Sequence, residues 1–249
     1  MKSEKPIVHV TQVGGCQRKK YHEIIDKGKE LSPHFYGVKG TMCHKVLEKS
    51  IEQIEVPKED VYIDLEYPAL ISGRGDRTEE ISRDVYEACM PEVEKLIETS
   101  NEWLETQEYD LPTFISEDTM NVETEECIIR GTPDLYSNNT LIDFKSGKAM
   151  LRSDYIRQAA AYKWMLKKEK DVDIKECHLI FLGGDKPVDK LIPEDKLSEG
   201  YTNFQNDLRT HLDTIEKVKI LGVEGKYEFK CSNDFACVFC KYRHLCSGV

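Results

Sequence analysis

The sequence predicts an α+β fold, in which a mixed β-sheet is flanked by helices. Residues 131–148 have the pattern of a β-hairpin, amphipathic helical segments lie on either side of them, and an apolar strand follows the next helix. The 249 residues include 39% apolar and 33% charged side chains. This balance is typical of a globular chain long enough to bury the core of one large domain.

The composition predicts a cytoplasmic protein. No segment approaches the roughly 18 apolar residues of a membrane-spanning helix, and MKSEKPIVHV at the N-terminus lacks the apolar core of a signal peptide. The nine cysteines are odd in number and unevenly spaced, which argues against the disulfide framework of a secreted protein.

The net charge of −11 argues against a protein that wraps duplex DNA. The charge is unevenly distributed, because much of the acid lies in residues 52–126. Basic groups occur at residues 18–20, at Lys145, Lys148 and Arg152, and at residues 241–243. A protein that contacts DNA only at a local site tolerates this distribution better than a DNA-wrapping protein does.

Two helices are predicted in the first 57 residues. Thr11 is expected to cap a short helix that carries Cys16 and Tyr21. Residues 37–54 follow as an amphipathic helix, with His44 in its first turns. A single histidine on a helix is more often structural than a ligand, so His44 gains weight only from its local string, GTMCHKVLE.

Residues 58–110 are predicted to form an accessory insertion. Alternating apolar residues at 61–65 indicate a short strand, and residues 78–105 have a helical pattern. Pro91 is expected to kink or split that helix. Residues 120–129 then form a strand that leads into the hairpin.

The hairpin predicts that two aspartates face each other. If Asn138 and Asn139 form the centre of the turn, Asp134 lies opposite Asp143, with Cβ atoms roughly 5 Å apart. A two-residue loop in this register would require a ladder hydrogen bond from the N–H that Pro133 lacks. We therefore expect a four-residue loop over residues 137–140.

The predicted hairpin face carries metal-binding chemistry. Asp143 and Lys145 share a face with Asp134, because side chains alternate along a strand. Paired carboxylates suit Mg²⁺ or Mn²⁺, and the ammonium group suits a water molecule or a phosphate. The alternative is a surface hairpin with two solvated aspartates.

The segments after the hairpin are predicted as helix, strand and helix. Ser153 is expected to cap a helix that ends near Lys168 and places Gln158 and Tyr162 on one face. Three alanines between them would let this helix approach the sheet closely. Residues 177–182 form an apolar strand, and residues 193–220 form a long amphipathic helix.

The C-terminal tail is a candidate four-cysteine site. Cys237, Cys240 and Cys246 have the spacing C-x2-C-x5-C. Either Cys16 or Cys231 would supply the fourth ligand, and spacing alone does not separate an iron–sulfur cluster from zinc.

Together these stretches resemble the RecB-like branch of the PD-(D/E)xK nucleases, and most closely the CRISPR-associated RecB-type exonucleases with an iron–sulfur cluster. The matching strings are GTMCHKVLE around His44, GTPD ending at Asp134, DFK at residues 143–145 and QAAAY at residues 158–162. One early and three late cysteines look like the split cluster of that family. The likeness spans nearly the whole chain, except residues 58–110 and 185–230.

The resemblance implies one nuclease domain over residues 1–249, with the PD-(D/E)xK core and an iron–sulfur region made of residues 1–36 and 225–249. A divalent metal, Mn²⁺ or Mg²⁺, would bind His44, Asp134 and Asp143. Lys145 would orient or activate the attacking water, and Gln158 and Tyr162 would position DNA or support the site. A 4Fe–4S cluster would be bound by Cys16, Cys237, Cys240 and Cys246.

The implied activity is metal-dependent cleavage of single-stranded DNA, often from an end. The implied partners are CRISPR integrase proteins, which would use the enzyme to trim spacer precursors. A repair, recombination or virus-encoded nuclease would have almost the same sequence. A non-catalytic DNA-binding subunit and a zinc-ribbon regulator are further alternatives. Neither explains why His44, Asp134, Asp143 and Lys145 are all present.

Overall fold

The computed structural model of the chain describes residues 5–26, 70–72, 78–80, 83–230, 240 and 242–246. The predicted helix at 37–54, including His44, and the predicted strand at 61–65 lie outside these residues. None of the helices in the described segments is both long and apolar enough to cross a membrane.

The larger sheet of the described segments has five strands in the order β10-β9-β8-β7-β4. Its members are β4 (Ile115–Ser116), β7 (Leu135–Tyr136), β8 (Thr140–Lys145), β9 (Glu176–Phe181) and β10 (Val188–Leu191). Strands β8 and β9 are parallel, whereas the other neighbouring pairs are antiparallel. The predicted mixed sheet is therefore confirmed.

A smaller sheet lies beside it, in the order β1-β6-β5. It contains β1 (Ile7–His9), β5 (Met120–Glu123) and β6 (Ile128–Gly131), and β1 pairs in parallel with β6. The single strand predicted over residues 120–129 is wrong. A turn separates β5 from β6, closed by the Thr124 N–H, which donates to the carbonyl oxygen of Cys127 at 2.9 Å. A separate hairpin is formed by β2 (Leu70–Ser72) and β3 (Thr78–Glu80).

Helices cover both faces of the larger sheet. The described helices are α1 (Gln17–Ile25), α2 (Arg83–Thr106), α3 (Ser153–Lys170) and α4 (Glu194–Leu221). Leu141, Leu179 and Phe181 share a core with α3, which contributes its three buried alanines at 159–161. On the other face, alternate residues of β8 and β9, such as Phe144, pack with Trp103 of α2. The alternation of apolar side chains along β8 and β9 thus joins two helical layers to one sheet.

The N-terminal ends of three predicted helices differ from the observed ones. Cys16, not Thr11, is the N-cap of α1, because Thr11 lies in a separate 3-10 turn, Val10–Gln12. The helix predicted from residue 78 begins at Arg83, after β3. The predicted helices at 153–168 and 193–220 are confirmed to within two residues, although Arg152 is the N-cap of α3 in place of Ser153.

Pro91 lies within the continuous helix α2, so of the two predicted outcomes the split is wrong and the kink stays a prediction. Proline removes one backbone donor, and its ring crowds the carbonyl group four residues earlier. Because residue 91 is exposed, Pro91→Ala should raise the free energy of unfolding by about 1–3 kcal/mol. Urea denaturation would measure this difference, and a lower stability of the variant would contradict the prediction.

A polar cluster joins β9 and β10 to the segment after α2. The Tyr109 hydroxyl donates to Asp189 Oδ2 at 2.7 Å, and His178 Nδ1 lies 2.8 Å from Asp189 Oδ1. Burial alone would lower the pKa of His178, but the hydrogen bond and charge of Asp189, together with Glu176, outweigh burial and raise the pKa.

His178 should therefore stabilise the fold most at low pH. Its folded pKa lies above the unfolded value of about 6.5, so this stability is fully present below about pH 6.5 and is lost as the pH rises through the folded value. In urea denaturation, the free energy of unfolding of wild type should exceed that of His178→Gln by a larger amount at about pH 5.5 than at about pH 8.5.

His211 offers a control of opposite sign. Burial and the neighbouring charge of Lys20 lower its pKa to about 4, so protonation favours the unfolded chain as the pH falls below about 6.5. His211→Gln should therefore gain stability relative to wild type at the lower pH. If the stability difference between wild type and either variant is the same at both pH values, the pKa shift assigned to that histidine is contradicted.

Candidate active site

The hairpin register is the one that the sequence predicts. Leu135 pairs with Ile142 and Tyr136 pairs with Leu141. The next pair in this register, just beyond the end of β7, is Asp134 opposite Asp143. Both side chains are buried, with 5% of Asp134 and 1% of Asp143 exposed, so the alternative of two solvated aspartates is excluded.

The predicted four-residue loop is wrong. The Ser137 N–H donates to the Thr140 carbonyl oxygen at 2.8 Å, which closes the turn over Asn138 and Asn139 alone. Hydrogen-bonded pairs alternate along an antiparallel ladder, so the hydrogen-bonded pair beyond Leu135 would require an N–H from Pro133. Strand β7 begins only at Leu135, so the missing donor falls outside the ladder.

Asp134 occupies the position where the ladder is interrupted. Its Oδ2 atom accepts the Phe144 N–H at 2.8 Å, in place of the backbone acceptor that a longer strand would supply. Pro133 thus prevents β7 from starting earlier in the chain, and Asp134 satisfies the Phe144 N–H on the facing strand. This bond fixes the Asp134 carboxylate beside Asp143.

Lys145 is the cation of this site. Its ammonium group forms an ion pair with Asp143 Oδ2 and donates to Gln158 Oε1 at 3.1 Å. Burial alone would lower the pKa of Lys145, but the charges of Asp143 and Asp134 outweigh burial and raise it. The side chain is therefore a charged donor at neutral pH in the metal-free protein.

Helix α3 supplies the second wall of the site. Gln158 accepts from Lys145 through Oε1 and donates through Nε2 to the Tyr162 hydroxyl at 3.0 Å. The two residues lie one turn apart on the helix, as predicted, and Tyr162 is fully buried. The chain Lys145–Gln158–Tyr162 fixes the ammonium from the helix side.

Gly131 allows the close contact between β6 and α3. A Cβ atom on Gly131 would lie 2.7 Å from Cε1 of Tyr162 and 3.1 Å from the sulfur of Met165. Such distances are too short for a side chain in a packed core. The glycine at the start of the GTPD string therefore makes room for the Tyr162 ring.

Tyr155 belongs to the site and was not predicted. Lys145 Nζ lies 4.7 Å from the centroid of its ring, a distance at which a cation is attracted to an aromatic face. The signal was present in the sequence, since Tyr155, Gln158 and Tyr162 have the i, i+3, i+7 spacing of one helix face.

The third predicted metal ligand, His44, lies outside the described residues. Within the described part of the chain, no three His, Cys, Asp or Glu side chains are grouped as a metal site would require. The two hairpin carboxylates are nevertheless the hard oxygen donors that Mg²⁺ and Mn²⁺ prefer. Their donor chemistry fits such an ion, with the remaining ligands supplied from elsewhere.

The predicted cysteine region brings together two distant segments. The Arg18 N–H donates to the Lys230 carbonyl oxygen at 3.2 Å, and Cys16 Sγ lies 3.7 Å from the same oxygen. The His22 ring stacks on Tyr242, with centroids 5.7 Å apart. The N-terminal helix thus contacts the C-terminal tail at Lys230, before the tail cysteines, and at Tyr242, between Cys240 and Cys246.

The cysteines themselves are only partly described. Cys16, Cys240 and Cys246 are each half-buried, whereas Cys237 and the alternative ligand Cys231 lie outside the described residues. The three described cysteines are not grouped as a metal centre would require, so the predicted cluster is not supported by the described part of the chain.

The sequence matches the PD-(D/E)XK nuclease superfamily over residues 9–247. Two solved structures are similar at low identity. SSO0001 is 13% identical, with 100% of this chain and 89% of that chain covered and a TM-score of 0.42. A candidate exonuclease from Eubacterium rectale is 12% identical, with 88% and 82% covered and a TM-score of 0.49. A search of curated proteins gives no match.

The family match covers nearly all of the chain, including the hairpin with Asp134, Asp143 and Lys145 and the helix with Gln158. Within this range, Pro133-Asp134 and Asp143-Phe144-Lys145 have the sequences PD and DxK, which match the letters of the superfamily's name. The chain belongs to the PD-(D/E)XK nuclease superfamily.

Proposed function

We propose that this chain is a divalent-metal-dependent deoxyribonuclease that degrades single-stranded DNA from an end. The observation that carries the proposal is the buried pair Asp134 and Asp143, with the Lys145 ammonium beside it. Two buried carboxylates next to each other repel, so a bound cation would relieve their repulsion. Nucleases of this superfamily typically use Mg²⁺ or Mn²⁺.

Asp134 and Asp143 would hold the metal, with His44 as the third ligand on the basis of the family resemblance. A divalent ion held there would supply activation of a water molecule and would neutralise charge on the phosphate. The hydrogen bond from Phe144 orients the Asp134 carboxylate before any ligand arrives. The protein therefore presents preformed oxygen donors, which is the condition for efficient electrostatic catalysis.

Lys145 would donate a hydrogen bond to the phosphate or to the attacking water. Its raised pKa keeps the ammonium protonated in the metal-free protein, so it begins as a donor and not as a base. Gln158 holds the ammonium from the opposite side, and Tyr162 holds the amide of Gln158. These two residues would fix the direction in which Lys145 donates.

Single-stranded DNA is the proposed substrate because of the charge distribution. A net charge of −11 disfavours a broad interface with duplex DNA, whereas Lys148 and Arg152 supply local positive charge directly after the hairpin. A narrow basic path beside the site suits one strand. Exonuclease action and a role in trimming CRISPR spacer precursors, together with integrase proteins, rest on the family resemblance alone.

A 4Fe–4S cluster on Cys16, Cys237, Cys240 and Cys246 is part of the same proposal. The contact between the N-terminal helix and the tail at Lys230 supports a centre shared by the two ends. A cluster there would link the ends of the chain covalently through iron and would stabilise the folded state.

Two other functions use the same residues differently. A repair, recombination or virus-encoded nuclease would share the chemistry but would act without CRISPR partners. A non-catalytic DNA-binding subunit would not need the ion pair between Lys145 and Asp143, nor its support by Gln158. The presence of both contacts therefore favours an enzyme.

The test combines metal analysis with an activity measurement. Protein purified without oxygen would be assayed for iron, zinc and visible absorption, and then for Mn²⁺-dependent degradation of end-labelled single-stranded DNA. Lys145→Ala would be the inactive control. We expect a brown protein with about four irons per chain, active as wild type and inactive as Lys145→Ala.

The outcomes separate the alternatives. A colourless zinc protein that leaves DNA intact would overturn the nuclease proposal and favour the binding subunit. An active but iron-free protein would overturn the cluster alone. Products that shorten by single nucleotides from one end would support exonuclease action, whereas internal fragments would contradict it.

A further inference from the structure

Two cations of different exposure share the ring of Tyr155. Lys145 Nζ lies 4.7 Å from the ring centroid and Arg152 Cζ lies 4.8 Å from it. The Lys145 side chain is 11% exposed, whereas 51% of the Arg152 side chain is exposed. One cation therefore lies inside the candidate active site, and the other lies at its solvent-accessible edge.

Arg152 is oriented as well as exposed. Its Nε and NH2 groups donate to the two carboxylate oxygens of Asp154, at 3.0 and 2.8 Å. A guanidinium group has five N–H donors, and this bidentate pair uses two of them. The planar group is thereby held in one direction while it retains donors for an anion, and its geometry suits phosphate oxygens.

Arg152 lies where it could contact a second phosphate of a bound strand. If the scissile phosphate lies at Asp134, Asp143 and Lys145, a strand that leaves the site on the side of Lys145 passes the surface beside it. Arg152 lies on that surface, because both cations contact one ring. An extended strand would therefore place its next phosphate within reach of an exposed guanidinium.

We propose that Arg152 binds the DNA phosphate next to the scissile phosphate, and that Tyr155 is the positioning residue that holds Arg152 and Lys145 at a fixed separation. This inference rests on the proposed function, since it assigns the substrate contact of the same site. It adds a strand-binding position to the metal-binding and catalytic residues.

The first test is the salt dependence of DNA binding. Fluorescence anisotropy would measure the Kd of the full chain for a labelled oligothymidine at several KCl concentrations, in EDTA, where no divalent metal supports cleavage. Arg152→Ala should weaken binding about tenfold and reduce the slope of log Kd against log salt by about 0.7, the value for one lost phosphate contact on a single strand.

Lys168→Ala is the matched control. Lys168 is an exposed residue on the last turns of the same helix, so its replacement removes one positive charge far from Tyr155. The slope of log Kd against log salt for Lys168→Ala should equal that of wild type. A wild-type slope for Arg152→Ala, or the same reduction in both variants, would overturn the proposal.

Tyr155 is tested by keeping or removing its ring. Tyr155→Phe retains the aromatic face and loses only the hydroxyl, which also interacts with Arg152, so it should recover most of the slope and kcat that Tyr155→Leu loses. Tyr155→Leu should reduce the slope as Arg152→Ala does and should also lower kcat about tenfold, because the Lys145 ammonium loses its cation–π contact. Equal behaviour of the two variants in folded protein would overturn the role of the ring.

The two levels of proposal fail differently. Protein that shows the Arg152-dependent slope but never cleaves DNA would overturn the nuclease and support the phosphate contact. In an active enzyme, Arg152→Ala should raise KM about tenfold with kcat nearly unchanged. An unchanged KM would overturn the Arg152 contact and leave the nuclease intact. If Tyr155→Leu does not fold, the Arg152 slope still decides the phosphate contact.

Discussion

Asp134→Asn should abolish Mn²⁺-dependent cleavage and leave the metal-free protein at least as stable as wild type. Among the described residues, the buried site contains two carboxylates and one ammonium, so asparagine removes one negative charge and leaves Asp143 paired with Lys145. The asparagine carbonyl oxygen can still accept the Phe144 N–H that Asp134 accepts at 2.8 Å. The change therefore removes a proposed metal ligand without breaking the hydrogen bond that orients its side chain.

The expected loss of cleavage is at least about 10³-fold, because the bound ion supplies several kcal/mol of transition-state stabilisation. A second readout is independent of activity. Mn²⁺ at a hundredfold excess over its Kd should stabilise wild type by about 2.7 kcal/mol, and thermal unfolding should show this shift in wild type but not in Asp134→Asn.

Asp185→Asn is the charge-matched control for this experiment. The Asp185 side chain is 97% exposed and pairs only with Lys95 among the partners that the structure identifies. It should retain both cleavage and the Mn²⁺-induced stabilisation. If Asp134→Asn binds Mn²⁺ as wild type does, the hairpin carboxylates are not the metal ligands.

The sequence predicts the hairpin well because its information is local. The Asn-Asn turn and the alternation of Asp143, Phe144 and Lys145 fix which residues face each other, and a shift of one residue would reverse every side chain. The register was therefore predictable, and so were the helices at 153–168 and 193–220, whose apolar periodicity is strong.

The turn length was not predictable, because it depends on a compensation across the hairpin. Pro133 excludes a further ladder bond, which favoured a longer loop. In the fold, β7 begins only at Leu135 and the Asp134 side chain accepts the Phe144 N–H instead. A side-chain acceptor thus replaces a backbone acceptor, and no local pattern announces that exchange.

The hairpin of β5 and β6 was missed for a related reason. Its turn contains Thr124 and two glutamates, without the glycine or asparagine that marks a tight turn in sequence. The Thr124 hydroxyl accepts the Cys127 N–H at 3.1 Å and stabilises the turn. The spacing of Tyr155 on its helix was visible in the sequence. Its role, however, depends on contact with Lys145 at the end of β8, which the sequence alone does not show.

Gly183→Ala should be among the most destabilising single substitutions in the described part of the chain. In sequence, Gly183 and Gly184 indicate only the end of β9. In the structure, a Cβ atom on Gly183 would lie 2.1 Å from the Ser146 carbonyl oxygen and 2.7 Å from its carbonyl carbon. Both atoms belong to the backbone directly after Lys145, so the clash cannot be relieved by a side-chain rotation.

The cost follows from the position of the clash beside the site. The Leu182 N–H donates to the Lys145 carbonyl oxygen at 2.9 Å, and a methyl group one residue later would push the two chain segments apart. We expect a loss of about 3 kcal/mol in the free energy of unfolding, at the upper end for overpacking. Because Lys145 would move with its backbone, cleavage by the remaining folded protein should also fall at least about tenfold.

Gly184→Ala is the matched control, since it is the same substitution at the adjacent residue. A Cβ atom there would lie 3.3 Å from the Lys186 carbonyl oxygen, a contact that a small shift can relieve. Urea denaturation should place this variant within about 1 kcal/mol of wild type, with cleavage retained. Equal stability of the two variants would mean that the backbone of residues 146–147 can move away from Gly183. The position of Lys145 would then depend on its contacts with Asp143, Gln158 and Tyr155 and not on the close approach of residues 146–147 to Gly183.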